Sequence, residues 1–324
     1  MPSPIRRRAL LAGIALAASP LAAWSSFAQR PLRVVVPFPA GGAADLMART
    51  LAQHLGEALG QQVVIDNRGG AGGTMACEIV ARAPADGYTL LFGTMGTQAI
   101  NPALYPKLRY DPLKDFAPVA LTHITPRVLV VGPSVDARTV AQLVALARTR
   151  PGQLTYGSAG NGSSSHLSGA LFERLADVDL LHVPYKGSAP LLTDLLAGRV
   201  DMTFDSFTVY EEQIKAGRVH ALGVTSRTRM AALPQVPTLA EAGLPGYEVS
   251  NWLGVLAPAG TPRDVVAELN TAVNRAMGDA GMRRQLTALG IEPATSSPDE
   301  FAALIRSEIP KWAQIVKTSG ATLE

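Results

Sequence analysis

Apolar and polar positions along the chain follow two rhythms. From Pro31 onward, short runs of β-branched and aromatic residues give way to stretches with apolar residues three or four apart. Arg33-Val34-Val35-Val36-Pro37-Phe38 predicts a buried strand, and Met47, Leu51, Leu55 and Leu59 then share one helix face. Gly60 stops that helix. Residues 62–66 predict a second strand, 74–82 a second helix, and Asp86-Gly87 turns the chain into a strand over 88–92. The rhythm restarts after Pro126, with strands at 128–131, 154–157, 200–204 and 252–256 and helices at 139–148 and 191–197. A breaker cluster, Pro258-Ala259-Gly260-Thr261-Pro262, precedes a long helix to about Met277. Alternating strands and helices imply βαβ crossovers and mainly parallel sheets, hence two α/β lobes. No short solenoid-type repeat is present.

A length of 324 residues agrees with about two domains, and 47% hydrophobic against 17% charged residues excludes a disordered chain. The formal charge of +3 lies at the N-terminus: without Arg6, Arg7 and Arg8 the 29 basic residues fall to 26, equal to the 26 acids. No basic field remains for a polyanion, so no nucleic-acid partner is expected. Residues 1–28 read as a cleavable export signal, with Arg6-Arg7-Arg8 leading an apolar stretch that Pro20 interrupts and Ser26-Phe27-Ala28 preceding the cut before Gln29. Arg7-Arg8 fits a twin-arginine signal loosely, so the Sec and twin-arginine routes both stay open. Cys77 stands alone, so no intramolecular disulfide or Cys-rich metal site is possible, and a core position is expected for it. The expected location is the periplasm.

Two long loops rich in small residues separate a strand from a helix, one in each predicted lobe: residues 38–45 and residues 158–166. A third, Gly93-Thr94-Met95-Gly96, is shorter. In parallel α/β sheets such loops bring helix N-termini to a crevice beyond the strand ends, where free N–H groups suit a carboxylate. Each N-terminus carries roughly half an elementary charge, so no arginine clamp is required. A simple turn with an N-cap explains either loop alone; the pair, one per lobe, favours a cleft site.

Catalytic motifs are weaker. Residues 160–165 approach a dinucleotide fingerprint, but Ser165 replaces its third glycine. Ser158 lacks a nucleophile elbow, and no phosphate loop or zinc motif occurs. His54 reads as a surface or packing residue, and His166 stands at a helix start near the cleft, as suited to positioning the helix as to moving a proton. Tyr185 and Lys186 offer an aromatic and a cation, and Asp205 ends a strand; a solvated charge and a helix cap explain the last two equally well. No catalytic residues, metal ligands or cofactor are expected.

Seven segments carry a resemblance: Val36-Pro37-Phe38-Pro39-Ala40-Gly41-Gly42; Asn67-Arg68 with Gly69-Gly70-Ala71-Gly72-Gly73; Ala85-Asp86-Gly87-Tyr88-Thr89-Leu90-Leu91; Asn101-Pro102-Ala103-Leu104-Tyr105; Ser158-Ala159-Gly160-Asn161-Gly162-Ser163; His182-Val183-Pro184-Tyr185-Lys186-Gly187; and Leu256-Ala257-Pro258-Ala259-Gly260-Thr261-Pro262. In this order and over nearly the whole chain, the sequence resembles the periplasmic substrate-binding proteins of tripartite tricarboxylate transporters, the Bug-type family. It departs at Arg68-Gly69-Gly70, where that family usually has proline after the arginine, and at Met75-Ala76-Cys77. The resemblance implies a two-lobed type II periplasmic-binding-protein fold, each lobe a mainly parallel sheet flanked by helices, closing on a small organic acid. Carried over by position, the ligand-binding candidates are Phe38, Ala40, Gly41, Gly42 and Asp45 from one lobe, and Ser158, Gly160, Asn161, Ser163 and Ser164 from the other. Thr94, Tyr185, Lys186 and Asp205 follow. With interlobe crossings near residues 121–131 and 248–256, the expected division is 29–126 and 251–324 for the first lobe and 127–250 for the second. The implied function is a carboxylate receptor serving a membrane permease. A ligand-binding partner of a membrane sensor kinase would show the same cleft, and a serine hydrolase would need Ser158 or Ser163 with His166. Dicarboxylates, tricarboxylates, acidic amino acids and aromatic acids all suit a backbone-lined anion grip.

Overall fold

The computed structural model describes residues 30–319; the expected export signal lies outside them. The first half opens with β1 (Leu32–Val36), α1 (Ala43–Leu59), β2 (Val63–Asn67), α2 (Thr74–Ala81) and β3 (Thr89–Thr94). A π-helical turn over Gly96–Ile100 leads into the short α3 (Asn101–Leu104), and the chain then runs through the 16-residue β4 (Phe116–Val131). The second half comprises α4 (Val140–Thr149), β5 (Thr155–Ser158), α5 (Ser164–Ala176), β6 (Leu181–Pro184), α6 (Ser188–Leu196), β7 (Met202–Ser206), α7 (Phe207–Lys215) and β8 (His220–Val224). The chain returns through β9 (Ser250–Pro258) and ends in α8 (Arg263–Met277), α9 (Ala280–Ala288), β10 (Glu292–Pro293) and α10 (Pro298–Ser319).

Each half contains the same unit. β1 pairs in parallel with β2 and β3, and β5 pairs in parallel with β6 and β7, so both trios place their first strand in the middle. Antiparallel strands join the two: the order is β2-β1-β3-β9-β4-β7-β5-β6, with β8 and β10 also on β4. β4 lies against β9 from Phe116 to Pro126 and changes partners there, pairing with β7 from Arg127 onward. The result is the two-lobed α/β fold, with a parallel core in each lobe and antiparallel crossings between them.

The alternation of side chains explains why these strands are almost wholly apolar. Leu32, Val34 and Val36 of β1 pack with Met47, Leu51 and Leu55 of α1, whereas Val35 faces a second core on the other side of the sheet. Likewise Val128 and Val130 of β4 meet Leu191 and Leu195 of α6, while Leu129 and Val131 turn towards Phe172 and Phe204. Strands covered on both faces read as continuous hydrophobic runs. Cys77 is fully buried in one of these cores. α10 packs on α3 and the π-helical turn of the first half and on α5 of the second, with Trp312 buried and its indole N–H donating to Glu308 Oε2 at 2.7 Å. Among the described residues no helix is long and apolar enough to cross a membrane.

Candidate functional site

The loop from β1 to α1 is shaped by a carboxylate beneath it. Gly41 has φ +83°, a left-handed conformation that favours glycine, and its N–H donates to Asp45 Oδ2 at 2.9 Å. Arg49 Nε donates to the same oxygen at 2.9 Å, and Asn67 Nδ2 donates to Asp45 Oδ1 at 3.0 Å and to the Phe38 carbonyl at 3.0 Å. The Arg49 guanidinium first, then the Gly41 amide, hold the Asp45 carboxyl down at about 2. Asp45 therefore braces the loop from behind. Gly42, the N-cap of α1, is extended and has no side chain to cap the helix, so the leading N–H groups lack a side-chain acceptor.

The loop from β5 to α5 is held by a denser network. Ser163 caps α5, accepting from the His166 N–H at 3.3 Å and donating to the Gly160 carbonyl at 2.6 Å. Ser165 Oγ accepts from the Ala159 N–H at 2.8 Å, and His166 Nδ1 accepts from the Gly162 N–H at 3.1 Å. That bond fixes the neutral His166 tautomer with its proton on Nε2. Ser158 is fully buried under the loop, with its hydroxyl 2.7 Å from His182 Nε2. The His166 and His182 rings stack, and Tyr156 lies against His182. Burial, then the neighbouring His166, pushes His182 down to about 4, and burial lowers His166 as well. The hydrolase arrangement is not favoured: Ser158 is enclosed and paired with His182, and His166 Nδ1 is engaged by backbone.

The two loops face each other across a cleft of about 890 Å³. Of the sequence candidates, Phe38, Ala40, Gly41, Gly42, Thr94, Gly160, Asn161, Ser163 and Ser164 line it. Thr94 is buried, its N–H on Thr97 Oγ1 at 3.0 Å. Five candidates are placed elsewhere. Asp45 and Ser158 lie behind their loops. The Tyr185 hydroxyl turns to Asp194 Oδ2 at 3.0 Å, and burial together with that bond pushes it up to about 12. Lys186 is exposed and absent from the lining, and Asp205 stands behind Arg127.

Arg127 is the residue that sequence reasoning missed. It sits where β4 changes sheets, lines the cleft, donates through Nη2 to Ser164 Oγ in the first turn of α5, and has Nη1 3.4 Å from Asp205 Oδ1. Burial lowers its pKa and Asp205 opposes that. One guanidinium thus stands beside the α5 N-terminus. Asn101 and Asn251 also reach the wall, with Met47, Ile100, Leu104, Tyr105 and Leu253 supplying apolar surface. Asn101 belonged to a recognisable segment; Arg127 carried no local signal. Gly162 (φ +69°) comes close to the facing wall: a Cβ added there would lie 3.1 Å from Leu104 Cδ1. Among the described residues no group of three His, Cys, Asp or Glu side chains is placed to hold a metal ion.

A family described as the tripartite tricarboxylate transporter family receptor matches residues 47–321 of the chain. Protein BugT of Bordetella pertussis is 36% identical over 308 residues, covering 95% of this chain and 94% of BugT. A solved R. palustris protein with adipate is 42% identical, with a TM-score of 0.76 over 91% of this chain and 99% of that one. MatC from Rhodopseudomonas palustris with bound malate is 38% identical, with a TM-score of 0.72 over 89% of this chain and 99% of that one.

Proposed function

The chain belongs to the tripartite tricarboxylate transporter receptor family, and from that premise we propose that it captures a small organic carboxylate in its cleft and hands it to a membrane permease. The observation that carries this reading is the pair of helix N-termini, α1 and α5, meeting one cleft from opposite lobes. The uncapped α1 N–H groups and the α5 end with Arg127 provide partial and full positive charge for an anion. Adipate and malate in two similar structures are ligands of that chemistry.

The candidates that line the cleft are the contact residues in this reading; Asp45, Ser158 and Asp205 set the shape of its walls. The first lobe comprises residues 29–126 and 251–324 and the second 127–250. A ligand bridging both favours the closed form by its differential affinity for it, and the permease distinguishes loaded from empty receptor by that closure. The protein performs no chemistry on its ligand. Residues 1–28 direct export to the periplasm and are removed there.

Thermal unfolding of the ligand-stripped protein against a panel of carboxylates tests this. At one hundred times Kd a ligand adds about 2.7 kcal/mol of stability, an upshift of roughly five degrees or more. A panel in which no carboxylate raises the midpoint would remove the receptor reading.

A further inference from the structure

Among the described residues lining the cleft, Arg127 carries the one charged side chain; no lysine, histidine, aspartate or glutamate joins it. Asp205 already offsets part of that charge, and the Arg127 Nε is buried without a partner. The rest of the wall is uncharged: Met47, Ile100, Leu104, Tyr105 and Leu253 supply apolar surface, with the amides of Asn101, Asn161 and Asn251 among them.

We propose that the ligand is a mono- or dicarboxylate whose body, apart from its carboxylates, is uncharged and largely apolar, with no ammonium group, and that one carboxylate meets Arg127 at the N-terminus of α5. The inference rests on the receptor reading above and narrows it. An amino acid would bring an ammonium into a cleft with no carboxylate to receive it, and a charge left unpaired on desolvation weakens binding steeply. A tricarboxylate would exhaust the one guanidinium and the two helix ends and press its remaining charge on apolar side chains. A methylene buried on that wall, by contrast, raises affinity about fourfold.

The test is calorimetric titration of the processed chain, recovered from the periplasm of an expressing bacterium and stripped by unfolding and refolding. The probes are hexanoate, adipate, benzoate, aspartate and citrate. The expected result is that the tightest of the first three binds at least about tenfold more strongly than aspartate and citrate. Arg127→Gln should then weaken that ligand about ten- to a hundredfold, the range that a charge-assisted hydrogen bond supplies, and Arg127→Lys should recover part of the loss. Because Arg127→Gln strands Asp205, the double variant Arg127→Gln/Asp205→Asn is measured beside it and should show the same loss from a neutral pair. Aspartate or citrate binding as tightly as the apolar-bodied acids, or full affinity in the double variant, overturns this inference and leaves the receptor reading standing. Silence from every carboxylate overturns both.

Discussion

The imidazole rings of His166 and His182 lie face to face, their centroids 3.8 Å apart and their planes 3° from parallel. Two stacked rings at that distance cannot both be charged without strong repulsion, and the enclosing wall disfavours charging either. The pair is the floor of the β5–α5 loop: one ring holds the Gly162 amide and the other the Ser158 hydroxyl.

That floor has an acid limit. The folded His182 is held at about 4 against an ordinary value of 6.5, so between these values the unfolded chain binds more protons than the folded one. The stabilisation is complete above about pH 6.5 and drains away as pH falls towards 4. His182→Gln, which keeps an N–H donor near Ser158, should flatten the dependence of the unfolding midpoint on pH in that window. An unchanged slope would show that other groups set it.

Asp45 braces the β1–α1 loop without lining the cleft. Asp45→Asn should cost about 1–2 kcal/mol through the weakened bonds from Gly41 and Arg49, and should reduce carboxylate affinity by distorting the loop. In the native protein its carboxyl is held at about 2, below the ordinary 3.8, so its stabilisation is present above about pH 3.8 and is lost as pH falls towards 2. Acid denaturation of the two proteins side by side should show that step in the native chain alone.

Gly162 separates two costs at one position. Gly162→Ala places a side chain in a left-handed conformation, at roughly 1–2 kcal/mol, and also drives its Cβ against Leu104. Adding Leu104→Ala should recover the contact part of the lost stability, measured against Leu104→Ala alone, while leaving the conformational part in place. Recovery of both would mean that contact, and not backbone geometry, fixes glycine there.

Cys77 should be chemically silent in the folded protein. It is fully buried, and burial pushes its thiol up to about 12, so almost no thiolate exists at neutral pH. Iodoacetamide should leave the native chain unlabelled and modify it stoichiometrically in denaturant. Labelling without denaturant would reveal an opening of the core around α2.

Local pattern carried much of the lobe architecture. Met47, Leu51 and Leu55 recur at helical spacing because α1 has one buried face, and the loops after β1 and β5 announce themselves by their small residues. The long crossing was harder to read. Pro118 and Pro126 make the first part of β4 look like a loop, yet Pro118 falls at a register shift and Pro126 where the strand changes partners, places where a missing N–H does no harm. In α10, Phe301, Ile305, Trp312 and Ile315 keep helical spacing, but Pro310 argues against a continuous helix. Arg127 was invisible for another reason. Its role comes from Ser164 and Asp205, residues far along the chain that the fold brings to it, and no short window contains that relationship.

The placement of β9 also fixes an order of assembly. It lies between β3 and β4, and its register sets Pro258 opposite Phe116 with the whole second lobe between them in sequence. A nascent chain that has just delivered β4 holds a first lobe whose sheet has no strand to connect its parallel trio to the crossing. Closing that gap means looping out everything from Arg127 to Val249, and such non-local pairing is slow. The half that is synthesised first is therefore completed only once β9 has been made.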